Sequence, residues 1–147
     1  MDIRQPNDVE IETIRELSPQ SIFDGTLGAV MPTKEKIDNL ITPLLERGSY
    51  YLIAAEDTTL MGWVLVGTNK DQFTESINGF IYELYVIEAY RGKGISKRLM
   101  TAAINQVREE GYDEVGLNVF SGNDDAIQLY EKMGFNVKTF SMSLPLK

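Results

Sequence analysis

The sequence predicts an α/β (α+β) fold in which a mixed sheet carries helices packed on it. Three observations predict it. Strand-like and helix-like segments follow one another in the order β, α, α, β, β, β, α, β, α, β. Two early strands are joined too tightly for anything but an antiparallel hairpin. Near the middle, an apolar strand, a basic glycine turn and an amphipathic helix form a strand–helix–strand crossover from Phe80 onward.

Met1 to Gln5 reads as a short first strand, ended by Pro6-Asn7-Asp8. Asn7 or Asp8 can cap a helix carrying Ile11, Ile14 and Leu17 at helical spacing, and Ser18-Pro19 is expected to stop it. Gln20 to Pro32, with Gly25 and Gly28, reads as a loop holding a few apolar anchors. Thr33 opens a second helix with Ile37, Leu40, Ile41, Leu44 and Leu45 on one face, to Gly48; Pro43 should kink it or split off its last turn.

Tyr50 to Ala55 and Leu60 to Val66 form the hairpin, with Gly62 beside Trp63 as a bulge or point of close approach. Gly67 to Asn78 reads as a polar loop before the central strand, Phe80 to Ile87. Ile95, Leu99, Ala103 and Val107 mark a helix to about Glu110, with Gly111 as its C′ residue. Glu114 to Phe120 is expected as a strand, Asp124 to Met133 as a short helix stopped by Gly134, and Phe135 to Leu144 as a closing strand. No repeat, low-complexity segment or linker interrupts the 147 residues, so residues 1–147 are expected to form a single domain.

Composition narrows the chemistry. The chain has no cysteine and no histidine, which removes disulfides, thiol nucleophiles, the usual zinc sites and any imidazole base. Protons must therefore be moved by carboxylates, tyrosines, lysines, the N-terminal amine or water. No acidic cluster suggests a metal, and none is expected. A net charge of −8 argues against nucleic-acid binding; it is compatible with a cationic acceptor such as an amine, and with acidity that simply confers solubility. No apolar run approaches a membrane span and no signal-peptide pattern opens the chain, so a cytoplasmic location and no membrane partner are expected.

Against this acidic background Arg91-Gly92-Lys93-Gly94-Ile95-Ser96, followed by Lys97 and Arg98, stands out. Two glycines let the backbone turn and leave amides uncovered, and the start of a helix adds unpaired N–H groups and a positive dipole end. That combination cradles phosphate. A plain turn with solvated lysines is the alternative. It is neither a P-loop, since Lys93 precedes Gly94 rather than Ser or Thr, nor the dinucleotide fingerprint, since Lys97 stands where a third glycine is needed.

The element order, with Arg91 to Ser96 after the fourth strand, resembles the Gcn5-related N-acetyltransferase superfamily. So does Asn123-Asp124-Asp125-Ala126-Ile127-Gln128-Leu129-Tyr130-Glu131-Lys132-Met133-Gly134-Phe135 near the C-terminus. The match spans Ile77 to Phe140; before that only the element order agrees. The resemblance implies a mixed, mostly antiparallel central sheet of about six strands flanked by about four helices. It also implies acetyl-CoA as donor, with Arg91, Gly92, Lys93, Gly94, Ile95 and Ser96 holding the pyrophosphate. The backbone of Leu84 and Val86 would pair with the pantetheine arm, and Leu84 N–H would polarise the thioester carbonyl. Asn123 would contact the arm and Tyr130 would protonate the departing thiolate. Two positions depart from the family pattern: Ser96 stands where Gly or Ala is usual, and Glu88-Ala89 where proline is common.

Tyr130 faces inward on its helix, so packing is the competing role for it. Glu83, a carboxylate in an apolar strand, is the candidate base; alternation puts it on the face opposite Leu84 and Val86, where it could equally face solvent. Tyr82 is expected in the wall of an acceptor pocket. The function so implied is an N-acetyltransferase acting on a primary amine of a small molecule or peptide, with a homodimer possible. A non-catalytic acyl-CoA-binding sensor is the alternative.

Overall fold

A computed structural model describes all residues, 1–147. Five strands form one sheet in the order β1-β2-β3-β4-β5: β1 (Asp2–Arg4), β2 (Tyr50–Glu56), β3 (Thr59–Lys70), β4 (Ile77–Val86) and β5 (Val115–Leu117). The first three pairings are antiparallel and β4–β5 is parallel, so the sheet is mixed and mostly antiparallel. Helices α1 (Asp8–Gly25) and α2 (Lys34–Glu46) cover one face. Helix α3 (Ile95–Glu109) covers the other, joined there by the partly buried Tyr130 and Met133 from the end of α4 (Asp124–Lys132).

Alternation along the strands builds both cores. Tyr51, Leu65, Ile53 and Trp63 meet Ile14, Ile37 and Ile41 on the α1–α2 face. Val64, Val66 and Ile81 meet Ile95, Leu99, Ala103 and Val107 on the α3 face. Two bulges re-aim the strands. Met61 is the extra residue opposite Ala54–Ala55, and Tyr82 the extra residue opposite Leu65–Val66. Gly62 is a true close approach: a Cβ there would sit 2.7 Å from the Tyr85 carbonyl oxygen.

Four expectations need correction. First, α1 does not stop at Ser18-Pro19; it continues to Gly25, leaving only residues 26–32 as connector. Pro19 costs one backbone hydrogen bond. In return the extra turns bury Ser18 and Ser21 against the sheet, and the Ser18 hydroxyl donates to the Ile14 carbonyl at 2.8 Å. Second, α2 runs unbroken through Pro43 to Glu46. Third, the polar loop shrinks to residues 71–76, because β3 and β4 pair out to Lys70 and Ile77. Fourth, the strand expected over Glu114–Phe120 shortens to Val115–Leu117, and the one expected over Phe135–Leu144 does not form. Beyond Phe135, whose amide closes α4 onto the Tyr130 carbonyl, the tail makes no backbone hydrogen bond.

The Asn7 cap is as expected. Its side chain accepts from Glu10 N at 2.8 Å, Glu10 accepts from Asn7 N at 2.9 Å, and Arg4 grips both Glu10 oxygens. No helix is long and apolar enough to cross a membrane.

Candidate active site

Strand β4 delivers the chain through a single 3-10 turn, Glu88–Tyr90, into the glycine turn. Gly92 (φ 80°) and Gly94 (φ 76°) both adopt the left-handed conformation, and a Cβ on either would point into open space. Gly94 caps α3 without any side-chain bond, and the first turn of α3 contains no acid. The consequence is a run of six amides, Gly92 to Lys97, that donate no hydrogen bond within the chain. Gly92, Gly94, Ile95 and Ser96 among them border a hollow of about 230 Å³ also walled by Val86, Tyr90 and Arg91. Lys93 lies 6.0 Å over the Tyr90 ring, and Lys93, Lys97 and Arg98 form no ion pair.

The second feature is an open sheet edge. Ile87 N donates to Met61 O at 2.9 Å, which makes Trp63–Tyr85 and Leu65–Glu83 the hydrogen-bonded pairs of the β3–β4 ladder. The backbone groups of Leu84 and Val86 therefore point away from β3. On that side β5 pairs only with Gly79–Ile81. Past Ile81 the two parallel strands separate, and the amides of Leu84 and Val86 face the gap.

Asn123 occupies the N-cap position of α4, with its side chain making no cap bond. The connector after α1 reaches this point from the opposite face: a Cβ on Gly122 would lie 3.2 Å from Leu27 Cδ1. Tyr130 packs edge-on against Phe135 at 5.8 Å and, like Leu84, lies on the α3-side core. Its hydroxyl has no partner in the chain, and burial raises its pKa, so it stays protonated at neutral pH.

Glu83 lies on the α1 face, opposite Leu84 and Val86, but it is not solvent-facing. Its carboxylate is sealed beneath α1, because that helix continues through Ser18 and Ser21. Neither oxygen reaches a hydrogen-bond partner, and the neighbouring Tyr51 hydroxyl and Trp63 Nε1 are also buried without one. Burial pushes the Glu83 carboxyl above its ordinary range, and the polar groups of Ser21, Trp63 and Ser18 nearby only partly oppose this.

The Arg91 side chain is committed within the chain. Its Nε donates to the Val86 carbonyl at 2.9 Å, an Nη donates to Asp24 at 3.1 Å, and its guanidinium lies 5.2 Å over the Tyr85 ring. Tyr85 Oη donates to the same Asp24 oxygen at 3.1 Å. Asp24 and Tyr85 escaped the sequence reading because Asp24 lay in the stretch taken for a loop. Tyr82, expected in a pocket wall, stacks on Phe80 and donates its hydroxyl to the Thr68 carbonyl.

Comparison with known proteins places these features in context. Residues 16–135 match the model of the acetyltransferase (GNAT) family. An uncharacterized N-acetyltransferase of Bacillus subtilis, YdgE, is 27% identical over 135 residues, covering 88% of this chain and 85% of that one. A solved structure from Pyrococcus furiosus superposes with a TM-score of 0.82 at 23% identity, covering 99% of both chains. The aminoglycoside N-acetyltransferase AAC(6')-Iy in complex with CoA does so with a TM-score of 0.77 at 20% identity, over 98% of this chain and 93% of that one. At those identities the two structures establish the fold alone.

Proposed function

Since this chain belongs to the acetyltransferase (GNAT) family, an acetyl-CoA-dependent N-acetyltransferase family, we propose that it transfers acetyl from acetyl-CoA to a primary amine by direct attack. We take residues 1–147 as one such domain. The observation that carries the reading is the joint presence of six free amides at Gly92–Lys97 and free amides at Leu84 and Val86 on the open edge of β4. The first set suits a diphosphate, and the second suits an amide-bearing arm added as a strand.

The donor supplies an activated acyl group as a thioester. Gly92 to Ser96 anchor its diphosphate through backbone N–H groups, with Lys93 adding charge. The Arg91 guanidinium braces Val86 rather than the phosphate. Val86 aligns the arm, Asn123 contacts it from α4, and Leu84 N–H donates to the carbonyl oxygen that gains charge during attack. The new bond is N–C and the broken one is C–S. The leaving sulfur takes a proton from the Tyr130 hydroxyl, and the amine gives its proton to Glu83. Because the Glu83 carboxylate is sealed beneath α1 and has no protein partner, that proton would reach it through water.

An amine-library screen following free CoA thiol tests this, on a chain with no cysteine to interfere. At least one amine should accelerate thiol release. With it, Tyr130→Phe should lower kcat about 10²-fold or more while leaving acetyl-CoA affinity within a few-fold. Unchanged turnover in that variant would favour a non-catalytic acyl-CoA sensor.

A further inference from the structure

Four buried polar atoms on the α1 face of the sheet have no hydrogen-bond partner: Tyr51 Oη, Trp63 Nε1 and both Glu83 carboxylate oxygens. They gather in one place. Strand register puts Tyr51 and Glu83 on either side of Leu65 in a single cross-strand row, with Trp63 in the next row beside Tyr85. Ser18 and Ser21, one turn apart on α1, lie against the cluster, and the Ser18 hydroxyl is already spent on the Ile14 carbonyl at 2.8 Å. Tyr51 and Trp63 are 2% and 0% exposed, so bulk solvent does not serve them. Buried polar groups left unbonded are costly, and a cluster of them calls for a reason.

The charged groups around this face are committed elsewhere. Arg15 bonds Asp38 at 3.2 Å, and Arg91 bonds Asp24 at 3.1 Å. Tyr85 Oη also donates to Asp24. Ile14, Ile37, Ile41 and Leu65 supply the rest of the packing and offer no polar atom. The orphans themselves are matched: Tyr51 and Trp63 bring two donors, and the ionised Glu83 brings two acceptors. That set is the complement of a water molecule, which accepts two hydrogen bonds and donates two. Interior water is retained at such polar spots, where it finds about two to four partners.

We propose that Tyr51 and Trp63 are positioning residues for Glu83: their O–H and N–H groups hold buried water against its carboxylate, and that water is the last station of the proton relay. The inference rests on the reading of Glu83 as the base. In the relay the water passes one of its protons to a Glu83 oxygen as it accepts the proton arriving from the amine side. Neither aromatic changes charge. Burial holds the Tyr51 hydroxyl protonated, and an indole N–H only donates. Donors fixed on the water favour the ionised carboxylate through it, so removing either one raises the Glu83 pKa further.

Trp63 is the only tryptophan, so its fluorescence reads the charge beside Nε1 with no acetyl-CoA or amine present. A pH titration should show a step above the ordinary carboxylate range, clear of Asp24, which titrates below it. The step should vanish in Glu83→Gln and move up by about one pH unit in Tyr51→Phe, with circular dichroism unchanged in both. The low-pH limb of kcat/KM should move the same way in Tyr51→Phe and Trp63→Phe. A crystal structure of the intact chain should show ordered water within hydrogen-bond distance of Tyr51 Oη, Trp63 Nε1 and Glu83. A step that survives Glu83→Gln, a midpoint unmoved in Tyr51→Phe, or direct bonds among the three side chains with no water between them overturns the proposal. A fluorescence step that moves as expected while the kcat/KM limb ignores every variant keeps the water site and overturns only the reading of Glu83 as the base.

Discussion

The glycine turn after β4 and the Glu83 pocket are made of opposite materials. At Gly92–Lys97 the unpaired polar groups are backbone amides, and the glycines leave them uncovered. At Glu83 the unpaired polar group is a side-chain carboxylate, sealed under α1 beside two further unpartnered polar atoms. A site built of backbone depends on conformation and tolerates variation in side chains. A site built on one buried carboxylate depends on its ionisation and on whatever covers it. Substitutions should therefore break the two regions in different ways.

The largest effect is expected at Gly94. Its φ of 76° is unfavourable for a β-branched residue, and the space beside it is open only while no anion fills the turn. Gly94→Val should weaken acetyl-CoA binding about 100-fold or more by calorimetry, the equivalent of about 3 kcal/mol. Lys93→Ala should cost far less, about 0.5–1 kcal/mol, as one exposed charge at a helix start. Equal losses in the two variants would mean that side chains, not amides, hold the phosphates.

The same contrast explains what could be read in advance. Backbone sites leave local signatures: Gly92, Gly94 and the apolar period of α3 sit within a few residues of one another, and each has a conformational meaning alone. The hairpin, the Asn7 cap and the Gly62 approach were legible for the same reason. The environment of Glu83 was not, because it depends on α1 running through Pro19. Local propensity says stop there; burial of Ser18 and Ser21 against the sheet overrides it. Asp24 was missed with it, since only a continued helix brings that carboxylate to Arg91 and Tyr85. The closing strand expected over Phe135–Leu144 does not form: a strand needs an edge to pair with, and periodicity carries no information about one.

Glu83→Gln should give an intermediate effect with two signs. The folded chain holds a proton on Glu83 that the unfolded chain releases at lower pH, because burial raises the folded pKa. Between the ordinary carboxylate range and that raised value, stability falls as pH rises. The glutamine variant lacks this loss, so it should be more stable at neutral pH by about 1–3 kcal/mol, with the gap closing toward pH ~4. Turnover should move the other way. A base must be ionised, so wild-type kcat/KM should climb through the raised pKa, whereas the variant should lose about 10- to 100-fold and that limb of its profile. A variant less stable at neutral pH would show that Glu83 is held as a paired anion.

The smallest effect is expected where the two regions meet. Burial alone would raise Asp24, but hydrogen bonds from Gln20, Arg91 and Tyr85 outweigh it and leave the carboxyl below its ordinary range. A lowered folded pKa adds stability above the unfolded value of about 4, and that stability is lost as pH falls through the folded one. The pair is about a third to a half exposed, so solvent screens it and the expected contribution is only about 0.5 kcal/mol. Asp24→Asn should lower the urea midpoint slightly at neutral pH, and the difference should vanish as pH falls through the lowered folded pKa, where the wild-type carboxyl is also uncharged. Because Arg91 Nε holds the Val86 carbonyl on the open edge of β4, freeing its guanidinium from Asp24 should also raise KM for acetyl-CoA two- to threefold with kcat unchanged. A fall in kcat without a change in KM would instead mean that the end of α1 acts on the acceptor side, and that Arg91 does not link the two regions.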